Sequence, residues 1–243
     1  MDISCTFELL VPGRKIPIIS YIILFLERNC PRDSCFRRIG CFRYNPFEIY
    51  HNNVDVSQLE IDEGRWVLST CGNLRRCDYC GKPAAYIDSI VIAVDGACSN
   101  NGTPYAQAGL GIYFGSRSSF NISLALDIDE PTNQKAELMA AIGALQMARD
   151  ICVNGSYGKP IVNVTIKSDS EYLVRAATEW IPKWETNGYT NARGKPVVNG
   201  ELFKWLDACI FDLNAEGVAV HFWHVERAYN CHADRLAKQA VSR

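Results

Sequence analysis

Four acidic residues stand where carboxylates could act together. Asp95 ends the apolar run "SIVIAVD" and Asp169 ends "IVNVTIKSD". Glu137 lies near the start of "PTNQKAELMAAIGALQMARDI", with Ala141, Ala144, Leu145 and Ala148 following it at helical spacing. Asp234 sits in "NCHADRLAKQA", just ahead of Leu236, Ala237 and Ala240. Each has a plain local explanation. Asp95-Gly96 suits a turn, Asp169 and Asp234 suit helix caps, and Glu137 suits the positive end of a helix dipole. A carboxylate on an otherwise apolar helical stripe, however, faces the sheet, where an unpaired charge is costly. Acids at strand ends in an α/β sheet lie on the edge where ligands gather. Converging there, they repel one another unless a cation is present, and hard divalent ions take oxygen ligands of this kind. His232 raises the same question as Asp234 and reads as a first-turn helix residue.

The elements that must position these acids are legible from Ser89 onward. Segments 89–95, 108–115 and 120–127 read as a meander of three strands, joined first by the turn-rich "GACSNNGTPYAQ". A helix is expected over 131–151, a strand over 161–169, and a helix from Ser170 that Pro182 ends. An amphipathic helix over 200–217, a strand over 218–225 and a last helix from about Cys231 complete the chain. The order β-β-β-α-β-α-α-β-α predicts a mixed α/β layer, antiparallel first and parallel later.

Composition sets the remaining bounds. The chain has 243 residues, 48% hydrophobic and 21% charged, enough for one large domain or two small ones. A formal net charge of −2 excludes binding to nucleic acid by bulk positive charge, so any such binding needs a local site. No basic stretch precedes an apolar run after Met1, so no secretory leader is expected, and a cytoplasmic or nuclear protein is. "IPIISYIILFL" (16–26) is short of the roughly 20 apolar residues of a membrane span. Seven of the eleven cysteines fall in the first 80 residues, and composition shifts near 81–89. The expected division is therefore a Cys-rich region over 1–85 and a second domain over 89–243. Cys71, Cys77 and Cys80 form C-x5-C-x2-C, half of a zinc knuckle, with Cys30, Cys35, Cys41 or His51 as a fourth ligand. The alternative is a small module of packed, reduced thiols. Eleven basic and eleven acidic residues over 1–88 leave this region neutral.

The segments "VDGACSNNG", "TNQKAELMAAIGAL", "IKSDSEYLV", "WHV" and "ADRLA", in that order over about 90–241, resemble ribonuclease H of type I. The resemblance implies a ribonuclease-H-like five-stranded mixed sheet flanked by helices. It implies an endonuclease, a monomer, that hydrolyses the RNA strand of RNA–DNA hybrids with two Mg²⁺ or Mn²⁺ ions held by Asp95, Glu137, Asp169 and Asp234. Asn101, Asn133 and Gln134 match residues that meet the 2′-hydroxyl, the group that separates RNA from DNA. Thr132 and Asn199 match a phosphate pocket, and Trp180 and Trp184 match a groove for the DNA strand, beside the loop of Asn191, Ala192 and Arg193. There are departures. Glu130 or Pro131 stands where the family has a pocket Arg. "VERAYNCHAD" lacks the Gly-rich loop with its His and is similar instead to an R-x-x-N-x-x-A-D variant, matched by Arg227, Asn230, Ala233 and Asp234. The first 80 residues do not resemble the family's hybrid-binding module. The competing expectation is a non-catalytic ribonuclease-H-like module that binds nucleic acid or a protein.

Overall fold

A computed structural model of the chain describes residues 8–11, 14–17, 41–50, 54–70, 85–154 and 160–242. Met1–Arg37 and Arg38–Arg243 form two compact units. In the first, β1 (Glu8–Val11) and β2 (Arg14–Pro17) pair antiparallel, with Glu8 opposite Pro17. Most of "IPIISYIILFL" lies outside the described residues, and among those described no helix is long and apolar enough to cross a membrane.

The strands of the second unit are β3 (Cys41–Arg43), β4 (Glu60–Asp62), β5 (Val67–Thr70), β6 (Ala85–Ser99), β7 (Gln107–Tyr113), β8 (Ile122–Leu126), β9 (Asn163–Ser168) and β10 (Ala219–His224). Its α-helices are α1 (Pro46–Tyr50), α2 (Asn133–Asn154), α3 (Glu171–Arg175), α4 (Ile181–Asn187), α5 (Gly200–Ala215) and α6 (Cys231–Val241). Five strands run in the order β8-β7-β6-β9-β10, antiparallel from β8 to β6 and parallel from β6 to β10. This is the expected mixed sheet. Three short strands extend it: β3 lies parallel beside β10, β5 runs antiparallel to the first part of β6, and β4 pairs with β5. The change of composition near 81–89 is therefore not a folding boundary. Strands of three or four residues carry too little alternation to be seen in sequence, and only their ladders with β6 and β10 select them.

Alternation along β6 sorts its side chains between two faces. Ile90, Ile92 and Val94 join Val164, Ile166 and Phe222 in the main core, under α2 and α5. The small residues Ala140, Ala141, Ala144 and Ala148 of α2 let that helix lie close to the sheet. Each large side chain fully buried here contributes roughly 1.5–3 kcal/mol. Val91 and Ala93 point to the other face, where Leu59, Val67, Tyr113, Trp223, Val225 and Ala233 make a smaller core. Tyr44, Tyr50, Val54 and Val56 pack against it. Side chains between Tyr44 and Val67 thus cover sheet surface that α6 leaves open.

Pro182 does not end its helix. A π-helical turn over Ala176–Trp180 follows α3, and α4 begins at Ile181 with the proline at its start. There the missing N–H costs nothing, because the first turn of a helix has no partner for it.

Candidate active site

The sheet edge is assembled by three close approaches. β6 and β9 are in parallel register as far as Ala93 opposite Lys167. Asp95 and Asp169 each stand two residues further on, which places them side by side on the same face. On the next residue of β6, a Cβ at Gly96 would lie 2.2 Å from the Glu137 amide nitrogen and 2.5 Å from the Ala136 carbonyl carbon. Only glycine allows α2 to cross here and bring Glu137 over the strand. On β7, Gly111 pairs with Asp95. A Cβ at Gly111 would meet the Ala233 carbonyl oxygen at 2.3 Å and the Ala237 amide nitrogen at 2.5 Å. α6 therefore rests on Gly111, with Asp234 next to the contact.

The electrostatics show that the four acids share one field. Burial, and then the charges of Asp169 and Asp234, push the Asp95 carboxyl up to about 7, with Arg227 opposing and Glu137 adding a little. Asp95 is 7% exposed and accepts no hydrogen bond from the described residues. Burial also raises Glu137, and the Asp169 charge adds to this, against hydrogen bonds from Ser170 Oγ to Oε2 at 2.6 Å and Asn133 Nδ2 to Oε1 at 2.8 Å. Asp169 accepts from Asn230 Nδ2 at 2.7 Å, and the same amide donates to the Val94 carbonyl at 3.0 Å. For Asp234, burial works upward. Hydrogen bonds from Lys238, whose Nζ is 2.8 Å from Oδ2, and from Arg227 outweigh it and hold the carboxyl below its ordinary value.

These partners dispose of the capping readings. Ser170, not Asp169, caps α3, its Oγ accepting from the Leu173 amide at 3.2 Å. α6 has no side-chain cap, and Asp234 lies inside its first turn. Among the described residues, no three acidic, His or Cys side chains stand in a finished metal-ligating arrangement. Three of the acids are turned toward donors instead. The donor set nonetheless has the chemistry a hard divalent cation takes: the charges of Asp169, Asp234 and Glu137 all act on Asp95, and among the described residues that buried carboxylate accepts no hydrogen bond.

The RNase H family model matches residues 88–242. The chain belongs to the RNase H family. It is 30% identical over 158 residues to "Ribonuclease H1" of Mus musculus, covering 63% of this chain and 50% of that one. It is 34% identical over 161 residues to "Ribonuclease H" of Schizosaccharomyces pombe, covering 66% and 56%. It is 33% identical over 157 residues to "Ribonuclease H" of Citrobacter koseri, covering 64% and 90%. The chain spans about half the length of the first two relatives. Among solved structures, LC11-RNase H1 in complex with RNA/DNA hybrid has a TM-score of 0.42 at 24% identity, covering 63% of this chain and 96% of that one.

The residues that the resemblance matched to hybrid contacts lie on the β6–β7 loop, the start of α2 and the stretch from the π-helical turn to the start of α5. Asn101 is exposed in the loop between β6 and β7. Thr132 opens α2, its hydroxyl accepting from the Lys135 amide at 3.2 Å. Asn133 is tied to Glu137, and Gln134 is exposed. Trp180 and Trp184 are half-buried, with ring centroids 5.8 Å apart, and Trp184 packs on Phe203 at 5.0 Å. They belong to the packing while presenting part of each ring to solvent. Beyond them, Asn191 Oδ1 accepts from the amides of Arg193 and Lys195, forming a tight loop that exposes both cations. Asn199 takes the left-handed φ of 60° and donates to the Tyr172 hydroxyl at 3.3 Å. Of Glu130 and Pro131, matched to the place of the family's pocket Arg, Glu130 is exposed, and Lys135 Nζ reaches the carbonyls of Asp129 and Glu130, both at 2.8 Å.

Sequence reasoning missed Ser170 and Lys238 as partners of the acids, and Gly96 and Gly111 as the points of close approach. Ser170 was within reach as a cap residue ahead of a helical run. His232 stacks on Tyr113 with ring centroids 4.5 Å apart. The candidate zinc ligands Cys71, Cys77 and Cys80 lie outside the described residues, as do Cys30, Cys35 and His51. Cys41 is half-buried on β3.

Proposed function

We propose that this chain is a ribonuclease H that hydrolyses the RNA strand of RNA–DNA hybrids, using two Mg²⁺ or Mn²⁺ ions held by Asp95, Glu137, Asp169 and Asp234. The observation that carries the reading is the buried Asp95 carboxylate, without a hydrogen-bond donor among the described residues and pressed by three further acids. Held by these carboxylates, such ions would supply activation of the attacking water and stabilisation of the leaving oxygen. The chain's own residues do the rest. Ser170, Asn133 and Asn230 hold Glu137 and Asp169 in place. Asn101, Asn133 and Gln134 would meet the 2′-hydroxyl and select the RNA strand. Trp180, Trp184, Thr132 and Asn199 would seat the DNA strand, with Arg193 and Lys195 beside its phosphates.

A labelled-hybrid cleavage assay with Mg²⁺ and with Mn²⁺, run on the wild type and on Asp169→Asn, tests this. Cleavage by the wild type and a loss of at least about a hundredfold in the variant are expected. Equal cleavage by both overturns the assigned site. The capture of Asp234 by Arg227 and Lys238 favours one competing reading, a non-catalytic module; hybrid binding without cleavage by the wild type would establish it. Structural zinc on Cys71, Cys77 and Cys80 is a separate proposal. It requires about one zinc per chain on metal quantification and its loss in Cys77→Ser.

A further inference from the structure

The sheet face that carries Asp95 and Asp169 also holds a second polar hollow, one step back along the same strands. It has a volume of about 140 Å³. Val91 and Ala93 of β6 give it an apolar floor, and Tyr113, stacked with His232, forms one side. Its charged lining is Glu60, Asp62 and Lys167, one negative charge in excess.

Two buried acceptors on residues of this lining have no hydrogen-bond partner among the described residues. Lys167 is 5% exposed and pairs with Oε1 of Glu60, which leaves Glu60 Oε2 without a donor. Asn230 is 1% exposed, and its Oδ1 is likewise unpartnered. The orientation of that amide follows from its partners. Its Nδ2 faces two acceptors, the Val94 carbonyl and Asp169 Oδ1, so the oxygen is the group left over. Asp62 adds charge but offers less, since both its oxygens already accept bonds, from Ser116 and from the Tyr113 hydroxyl.

An occupant must therefore donate hydrogen bonds, carry positive charge and rest methylenes on the floor. An anion would face Glu60 and Asp62. A divalent cation would find a single open carboxylate oxygen, too few charged ligands for a protein cage. We propose that the hollow binds a primary alkylammonium group, with Glu60 Oε2 and Asn230 Oδ1 as its acceptors. Because Asn230 also holds Asp169, the amide reports occupancy directly.

The test uses the full chain, labelled with ¹⁵N, and follows the side-chain amide signals of Asn230 during titration with n-butylammonium chloride. Tetramethylammonium chloride at equal ionic strength is the control, since it carries the charge without an N–H. A saturable shift with n-butylammonium alone is expected. Glu60→Gln should weaken it about tenfold, the worth of a hydrogen bond to a charged group. Ala93→Leu, which fills the floor and leaves every charge in place, should abolish it and keeps the test decisive if Glu60→Gln fails to fold. Nα-acetyllysine amide forms a second arm: binding there extends the site to lysine side chains, and its failure beside n-butylammonium binding restricts the site to free amines. Equal shifts from both quaternary and primary ions, or no saturable shift with n-butylammonium, would overturn the proposal, as would unchanged binding in both variants.

Discussion

Burial and its acidic neighbours push the Asp95 carboxyl up to about 7, from 3.8 for a free carboxyl. The folded chain then binds that proton more tightly than the unfolded chain does. The stability so contributed is present in full below about pH 4 and is lost as pH rises through about 7. In EDTA, Tm should fall between pH 5 and pH 8, by an amount equivalent to a few kcal/mol at most, and Asp95→Asn should flatten that slope. A Tm independent of pH in the wild type would remove Asp95 from this role. Asp234 differs from its neighbours. Its side chain is 14% exposed and has two cationic partners of its own. Asp234→Asn should therefore lower hybrid cleavage less than Asp169→Asn, and an equal or larger loss would show the ranking reversed. The acids themselves were legible, because each ends an apolar strand or opens a helix, places where sequence pattern and chemistry coincide. Ser170 and Asn230 were not legible as partners of Glu137 and Asp169, because they reach them only when the elements that carry them meet. Lys238 stands four residues after Asp234 on α6, a helical spacing that was there to be read.

At the scale of elements, two helices are set by glycine. Gly96→Ala would drive the opening of α2 away from β6, and Gly111→Ala would lift α6, since each added Cβ falls within 2.5 Å of helix backbone. Each should cost at least about 2 kcal/mol of stability. Each should also reduce hybrid cleavage more than its loss of Tm explains, because the helix displaced carries one of the acids proposed to hold the metal ions. Chemical denaturation alongside the cleavage assay checks both, and an alanine variant with wild-type activity would contradict the close approach. The strand–helix order from β6 to α6 was readable, since these elements are long and periodic. The π-helical turn was not. It depends on how the aromatic cluster of Tyr172, Trp180 and Trp184 packs on Phe203.

At the scale of the molecule, β3, β4 and β5, which precede β6 in the chain, are part of its sheet. A chain of 85–243 should melt at a lower temperature than one of 38–243, because it strips Leu59 and Val67 from the smaller core and leaves Lys167 without Glu60. Equal melting of the two would deny these strands a structural role. Sequence could not show this, because Glu60 and Lys167 read as surface charges until the fold pairs them. The pairing of β6 has a last consequence, one of timing. β6 is hydrogen-bonded to β9 on one side and to β5 and β7 on the other. α6 shares no backbone ladder with the sheet and is held there by side-chain packing and by a hydrogen bond from Ser123 Oγ to the Leu236 carbonyl at 2.8 Å. Slow deuterium exchange is expected at Ile90–Val94, and earlier exchange at Leu236–Ala240. On gentle warming, Asp234 would swing away while Asp95 and Asp169 stayed fixed, so the protein should fall silent some degrees before it melts.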